Sequence, residues 1–264
     1  MDLGITGKGA LVTGASSGLG FATALRLAQE GAEVVINSRS EDRLKEAVHK
    51  IENATGAKVR RVALDLTPDG NAEIIVRRAA EMLPNGIEIL VANTGGPPPG
   101  LFLDQPKERF QQTADQLLHM AINLTRSVLP AMVERGWGRL IYITSIAAIQ
   151  PTDDLLLSNT YRAGLTGFCK TIANTYAKFG VTANCVCPGY TGTERLIDLA
   201  KKRAEATGHS IEDVVAAFAS SCPAGRVGKP EELAAAIAFL ASTHAGYING
   251  ANIPVDGGSH RSLI

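Results

Sequence analysis

A parallel β-sheet wound with helices on both faces is the fold class this sequence predicts, and three observations predict it. Apolar runs of strand length alternate with amphipathic stretches of helix length from start to finish. The first such pair is joined by a glycine-rich turn, Thr13-Gly-Ala-Ser-Ser-Gly-Leu-Gly20. Small and polar residues gather where the apolar runs end.

The elements follow in order. Residues 9–13 read as a first strand and 18–30 as a helix closed by Gly31. Residues 33–38 form a second strand, 41–54 a helix and 59–64 a third strand; 72–83 is a helix and 87–92 a fourth strand. After the stiff Gly95-Gly-Pro-Pro-Pro-Gly100 loop, a long helical pattern covers 107–135. Residues 139–144 make a fifth strand, 155–178 a helix and 181–187 a sixth strand. This order implies right-handed crossovers and a parallel sheet covered on both sides, the doubly wound Rossmann architecture of an α/β protein. Ligands on such sheets sit at the carboxyl ends of the strands, near the point where strand order reverses. Here those ends are Thr13-Gly14, Ser38-Arg39, Asp65-Leu66, Asn93 to Gly95, Ser145 and Pro188-Gly189. The 264 residues show no repeat, linker or low-complexity tract, so a single domain spans 1–264. Residues 191–225, mixed in polarity and partly helical, are expected to form a lid over the substrate.

Composition excludes several classes. The 26 Lys+Arg balance 26 Asp+Glu, so no net field draws nucleic acid or an anionic membrane. No apolar stretch approaches the roughly 20 residues of a membrane span, and the opening residues do not read as a signal peptide. Cys169, Cys185, Cys187 and Cys222 lack metal-ligand spacing, so no metal is expected. Cys185 and Cys187, two apart in one strand, share a face and read as core thiols. The expectation is a cytoplasmic protein with a small-molecule substrate.

The turn carries the first chemistry. Gly14, Gly18 and Gly20, with Ser16, Ser17 and Leu19 between them, allow a tight bend, a close approach to phosphate and tight packing of helix on strand. The helix that follows offers unpaired N–H groups and a partial positive charge to an anion. A glycine triplet alone is a weak signal; set between an apolar strand and an amphipathic helix, it points to a dinucleotide pyrophosphate. At the end of the second strand, an NAD-selective site would place a carboxylate against the ribose 2′-hydroxyl. This chain has Ser38 and Arg39 there, with no acid before Glu41. A guanidinium suits a 2′-phosphate, which favours NADP(H) over NAD(H).

With these residues in place, the chain resembles the short-chain dehydrogenase/reductase family, in particular relatives of 3-oxoacyl-acyl-carrier-protein reductase. The resemblance spans nearly the whole chain. It rests on Thr13 to Gly20, Asp65-Leu66, Asn93-Thr94-Gly95 and Gly138-Arg139 leading to Ser145. It continues through Ala163-Gly-Leu-Thr-Gly-Phe168, Cys187-Pro-Gly189, Gly225-Arg-Val-Gly-Lys-Pro-Glu231 and Ile253-Pro-Val-Asp-Gly-Gly258. It implies that Asp65 and Leu66 flank the adenine and that Asn93 and Gly95 line the ribose. Gly189, Thr191 and Thr193 would meet the nicotinamide carboxamide, and a homo-oligomer, tetramer or dimer, would form.

The family moves a hydride between nicotinamide and a carbonyl or alcohol carbon. Its usual proton donor is a tyrosine, with a lysine four residues later, a serine on the preceding strand and an asparagine on the long helix. Ser145 fits the serine position. The tyrosine position falls on Ser158 and the lysine position on Arg162, in Ser158-Asn-Thr-Tyr-Arg162. The asparagine position falls near Leu117, with Asp115 and Gln116 adjacent if the register slips. A serine hydroxyl is a far weaker acid than a phenol, whose pKa is about 10. Arg162 keeps positive charge and can fork onto ribose hydroxyls, but it stays protonated and cannot relay a proton.

The expectation is therefore an NADP(H)-dependent oxidoreductase acting on a carbonyl/alcohol or enoyl substrate through a rearranged proton-transfer site. Ser145 and Ser158 would hold the substrate oxygen, and Arg162 would polarise it and fix the ribose. Tyr161, roughly 60° around the helix from Ser158, is a further proton-donor candidate, read more readily as packing. Tyr190 carries the same two readings. Asp153 and Asp154 read as helix-capping acids rather than a base, and His119 as a core or interface residue. The alternative function is a catalytically silent NADP(H)-binding scaffold or sensor.

Overall fold

The computed structural model describes residues 1–263. Seven parallel strands form one sheet: β1 (Gly9–Val12), β2 (Glu33–Ser38), β3 (Arg60–Ala63), β4 (Ile89–Ala92), β5 (Gly138–Ile143), β6 (Val181–Pro188) and β7 (Asn252–Val255). Their spatial order is β3-β2-β1-β4-β5-β6-β7. The chain builds outward from β1 to β3, then returns to the other side of β1 as β4. A crevice must open between the carboxyl ends of β1 and β4, because their crossovers leave toward opposite sides.

The strands are buried on both faces, and alternate side chains divide between two cores. Ala10, Val12, Val34, Ile36, Ile89, Val91, Ile141 and Ile143 face one core, beneath α1 (Gly18–Gln29), α2 (Glu41–Thr55) and α9 (Pro230–Ala241). Leu11, Val35, Leu90, Leu140 and Tyr142 face the other, beneath α3 (Asn71–Met82), α5 (Met120–Arg135) and α6 (Leu156–Tyr176). Cys185 and Cys187 share that second core as free, buried thiols, as their spacing predicts. The buried Tyr142 hydroxyl pairs with Thr125 Oγ1 at 2.8 Å, so this polar tip is satisfied. Arg139 crosses the bottom of the sheet, where its Nε donates to Ser242 O at the end of α9.

The structure departs from the sequence reading in two places and gives detail to a third. The segment 107–135 is not one uniform helix: α4 (Lys107–Ala114) passes into α5 through a π turn, Asp115–His119. The segment 191–225 holds two helices, α7 (Glu194–Thr207) and α8 (Ile211–Ser221), closed on their own small core of Leu196, Ala200, Val214 and Phe218. The second departure is β7, which contains Pro254 and, among the described residues, pairs with β6 alone. An edge position is where a strand tolerates a residue with no N–H to donate. No helix of the described residues is long and apolar enough to cross a membrane.

Candidate functional site

At the switch point, β1 and β4 are clasped. Thr13 Oγ1 donates to Asn93 O at 2.9 Å and accepts from Asn93 N at 2.9 Å, while Asn93 Nδ2 donates to Gly14 O at 3.1 Å. The clasp fixes the floor under the glycine turn. The three glycines of that turn have different reasons. A methyl on Gly14, whose φ is +56°, would sit 2.7 Å from Asn93 O, and one on Gly20 would sit 2.3 Å from Gly14 O. Those two permit backbone to pass backbone. Gly18, at φ +58°, meets no backbone: such a carbon would touch only the Thr193 side chain, whose methyl lies 3.5 Å away. Ser17 precedes α1 in an extended conformation and its side chain caps none of the helix amides. The first-turn amides of α1 therefore look into a cradle that only a glycine leaves open, and this fits a pyrophosphate. Ser16 and Leu19 lie within the same turn, half-buried.

At the end of β2, Ser38 Oγ accepts from Ser40 N at 3.3 Å, and Ser40 in turn caps α2 through Arg43 N. Arg39 is exposed and has neither an ion-pair nor a hydrogen-bond partner among the described residues. A second cation stands nearby on the first turn of α2: Arg43, paired with Glu194 at 2.6 Å. Sequence reading did not single out Arg43, because a charged residue inside an amphipathic helix carries no signal of its own. At the end of β3, Asp65 closes a local turn by accepting from Thr67 N at 3.0 Å, and Leu66 packs against the second core.

The chemistry-bearing residues meet at the end of β5. Ser145 starts a short 3₁₀ turn and its Oγ accepts from Ala147 N at 3.1 Å, which leaves its O–H free to donate. Arg162, one turn after Ser158 on α6, is 8% exposed and firmly held. Its Nη1 donates to Ile143 O at 3.2 Å and Thr144 O at 2.6 Å, and its Nε donates to Ser158 Oγ at 3.1 Å. One guanidinium thus joins Ser158 to the residue that precedes Ser145. Burial and the neighbouring charge of Arg195 push the Arg162 pKa down to about 10, so it remains a cation at neutral pH. The Ser158 hydroxyl accepts from this cation, which strengthens its own O–H as a donor.

The π turn decides what the long helix contributes. Leu117, the position reached by counting, is buried. Gln116 is the residue that reaches the cleft, where its Nε2 donates to Gly95 O at 2.9 Å. Asp115 instead pairs with His119 at 2.8 Å, and His119 is about half exposed, which corrects its reading as a core residue. Asp153 and Asp154 do not cap α6, whose N-cap is Leu155 without a side-chain bond. Asp154 pairs with Arg203 of α7 at 3.1 Å. The loop before α6 is held by Asn159, which accepts from Thr152 N and donates to Thr152 O. Tyr161 is half-buried and makes no hydrogen bond among the described residues. Tyr190 stacks on Phe218 with ring centroids 4.3 Å apart.

Beyond β6, Gly189 lies against Asp256, where a methyl would come within 2.8 Å of the Asp256 Cβ. Thr191 is buried and its Oγ1 donates to Gly189 O at 3.2 Å, while Thr193 precedes α7 without capping it. Three contacts moor the α7–α8 segment across the cleft: Glu194 on Arg43, Arg195 Nη2 on Pro97 O at 2.6 Å, and Arg203 on Asp154. Among the described residues no His/Cys/Asp/Glu cluster could hold a metal ion.

A parallel sheet with a glycine turn at its switch point and hydroxyls and a guanidinium at the next strand end defines an α/β protein of the Rossmann class. Comparison with known proteins is more specific. Residues 14–260 match the family model described as enoyl-(acyl carrier protein) reductase. The chain is 34% identical to dehydrogenase/reductase SDR family member 4 of Bos taurus, covering 96% of this chain and 87% of that one. It is 32% identical to 3-oxoacyl-[acyl-carrier-protein] reductase FabG of Aquifex aeolicus, covering 98% and 99%. The crystal structure of L-sorbose reductase from Gluconobacter frateurii, complexed with NADPH and L-sorbose, superposes with a TM-score of 0.94 at 34% identity and full coverage of both chains. The chain belongs to the short-chain dehydrogenase/reductase family.

Proposed function

We propose that this protein is an NADP(H)-dependent oxidoreductase that acts on a carbonyl/alcohol or enoyl substrate without a tyrosine general acid. The observation that carries the reading is Arg162, locked between the β5 carbonyls and Ser158 and facing Gly96 just past the end of β4. The α1 amides behind Gly14, Gly18 and Gly20 hold the pyrophosphate, and Arg39 meets the 2′-phosphate. Asp65 and Leu66 border the adenine, Asn93 and Gly95 the ribose, and Gly189, Thr191 and Thr193 the carboxamide. When bound, the nicotinamide supplies or accepts the hydride. Ser145 and Ser158 donate to the substrate oxygen, and Arg162 places a fixed positive charge where negative charge develops. The oxygen takes its proton from water, since a guanidinium keeps its own at neutral pH. The α7–α8 segment acts as the lid that limits that water. The four free, buried thiols suit the reducing interior of a cell, and we place the protein in the cytoplasm.

The test is a calorimetric titration of NADPH and NADH into the purified chain, followed by NADPH oxidation over a panel of ketones and conjugated enones. Tight NADPH binding with turnover on one class is the expected result. Tight binding with no turnover across the panel would leave the silent scaffold as the function. For the cofactor preference, Arg39→Ala should weaken NADPH binding by about 10- to 100-fold, the worth of a charge-assisted phosphate contact, with NADH unaffected. Equal loss for both cofactors would remove Arg39 from the 2′-phosphate site.

A further inference from the structure

We infer that the substrate carries a carboxylate one or two bonds from the reacting carbon, gripped by Arg195 and the free edge of Arg162. This rests on the reductase reading above and names its substrate class. Arg162 spends its Nε on Ser158 and its Nη1 on the β5 carbonyls, but its Nη2 has no hydrogen-bond partner among the described residues. The side chain is more than nine-tenths buried, and that unused nitrogen faces Gly96. Arg195 reaches out of the first turn of α7, where its Nη2 donates to Pro97 O at 2.6 Å and its Nε has no hydrogen-bond partner among the described residues. A methyl group on Gly96 would lie 3.6 Å from Arg162 Nη2, 3.4 Å from Arg195 Nη2 and 3.7 Å from Arg195 Nε. Two guanidinium edges therefore meet over a single glycine that places no side chain between them.

Among the described residues no carboxylate pairs within 4.0 Å with either of these two guanidinium groups. Asp198, three residues along α7, raises the Arg195 pKa without pairing with it, and burial is the larger effect, lowering it. Two unpaired cations drawn together in partial burial oppose each other, and an anion between them relieves both the repulsion and the lost hydration. The pyrophosphate has its own cradle at the end of β1, against Thr193, whereas this pair stands over Gly96 and beside Ser158. Arginine at both places suits a carboxylate, whose two oxygens match a planar fork. The spacing narrows the class further. One edge of Arg162 touches the hydroxyl that holds the reacting oxygen, and the adjacent nitrogen of the same planar group faces the anion. Reacting oxygen and carboxylate then belong to one short fragment, as in a 2-oxo or 3-oxo acid.

Arg195 is thus a specificity residue, and its test compares acids with their esters. The probes are acetoacetate and 2-oxobutanoate, each beside its methyl ester, with NADPH and the full chain. The wild type should prefer the acids, and Arg195→Ala should cut the acid-over-ester ratio of kcat/KM by about 100-fold while the NADPH affinity changes by less than about threefold, the lost Pro97 contact acting on acids and esters alike. Esters reduced as well as acids by the wild type, equal losses on both, or a tenfold-weaker NADPH affinity in the variant would each overturn the proposal. If none of the four probes is reduced, calorimetry of the two acids into the NADP⁺ complex decides separately. Binding that Arg195→Ala abolishes keeps the anion site while the reductase reading loses support; no heat from either acid overturns the site itself.

Discussion

Arg162→Met should lower kcat/KM by roughly 10²- to 10³-fold, the usual loss when a preorganised group facing developing charge is removed. Methionine fills much of the same space but supplies no charge and no donors. Ser158 loses the N–H that polarises it, and Ile143 O and Thr144 O lose their partner. Unsatisfied buried carbonyls cost about 1–3 kcal/mol, so the melting temperature should fall as well. The kinetic loss is separable from that destabilisation by its pH dependence. Arg162 is charged below its pKa and loses the charge as pH rises through about 10. In the wild type, kcat/KM should hold level from neutrality and decline only near that value. In Arg162→Met this upper limb should vanish, leaving a low, flat profile. A wild-type profile that bends near neutral pH would instead reveal a second titrating donor.

Gly18→Val should abolish measurable cofactor binding, with a loss of about 100-fold or more in NADPH affinity. At φ +58° a branched side chain is strained by about 1–3 kcal/mol, and its methyls would occupy the space between the α1 amides and Thr193. The matching changes at Gly14 and Gly20 are poorer probes, since an added carbon there strikes backbone atoms and disturbs the fold itself. The check is thermal: NADPH at about 100 times its Kd should stabilise the wild type by about 2.7 kcal/mol and the variant hardly at all. A variant that still gains stability from NADPH would move the pyrophosphate away from this turn.

The sequence made the sheet legible because its strands are apolar on both faces. Leu11, Val35 and Leu90 fill one core while Val12, Ile36 and Val91 fill the other, so continuous hydrophobic runs stand out between glycine-punctuated helices. The glycine turn was legible for the same reason, since its meaning follows from the strand before it and the helix after it. Ser145, Ser158 and Arg162 could be placed by counting within unbroken elements, and the structure links Arg162 to Ser158 and to the strand end beside Ser145. Counting left alternatives where an element was irregular. The π turn brings Gln116, the neighbour reached by a one-residue slip from Leu117, to the cleft, and no local pattern announces an extra residue within a helix. Asp154 looked like a cap because caps are local, whereas its partner Arg203 is 49 residues away. Arg195 was invisible for a related reason: only the folding of α7 across the cleft brings it to Gly96.

The wide turn at Asp115–His119 also means that a residue count, rather than a residue type, decides which side chain hangs over the cleft. Each residue advances an α-helix by about 100°, so deleting one between Asp115 and His119 would let the rod wind evenly from Lys107 to Arg135. The buried stripe of α5 would keep its place, while the preceding turn would swing by that angle and carry Gln116 off Gly95. Length variation at this one point is a means of exchanging the polar lining of the cleft while leaving the core untouched.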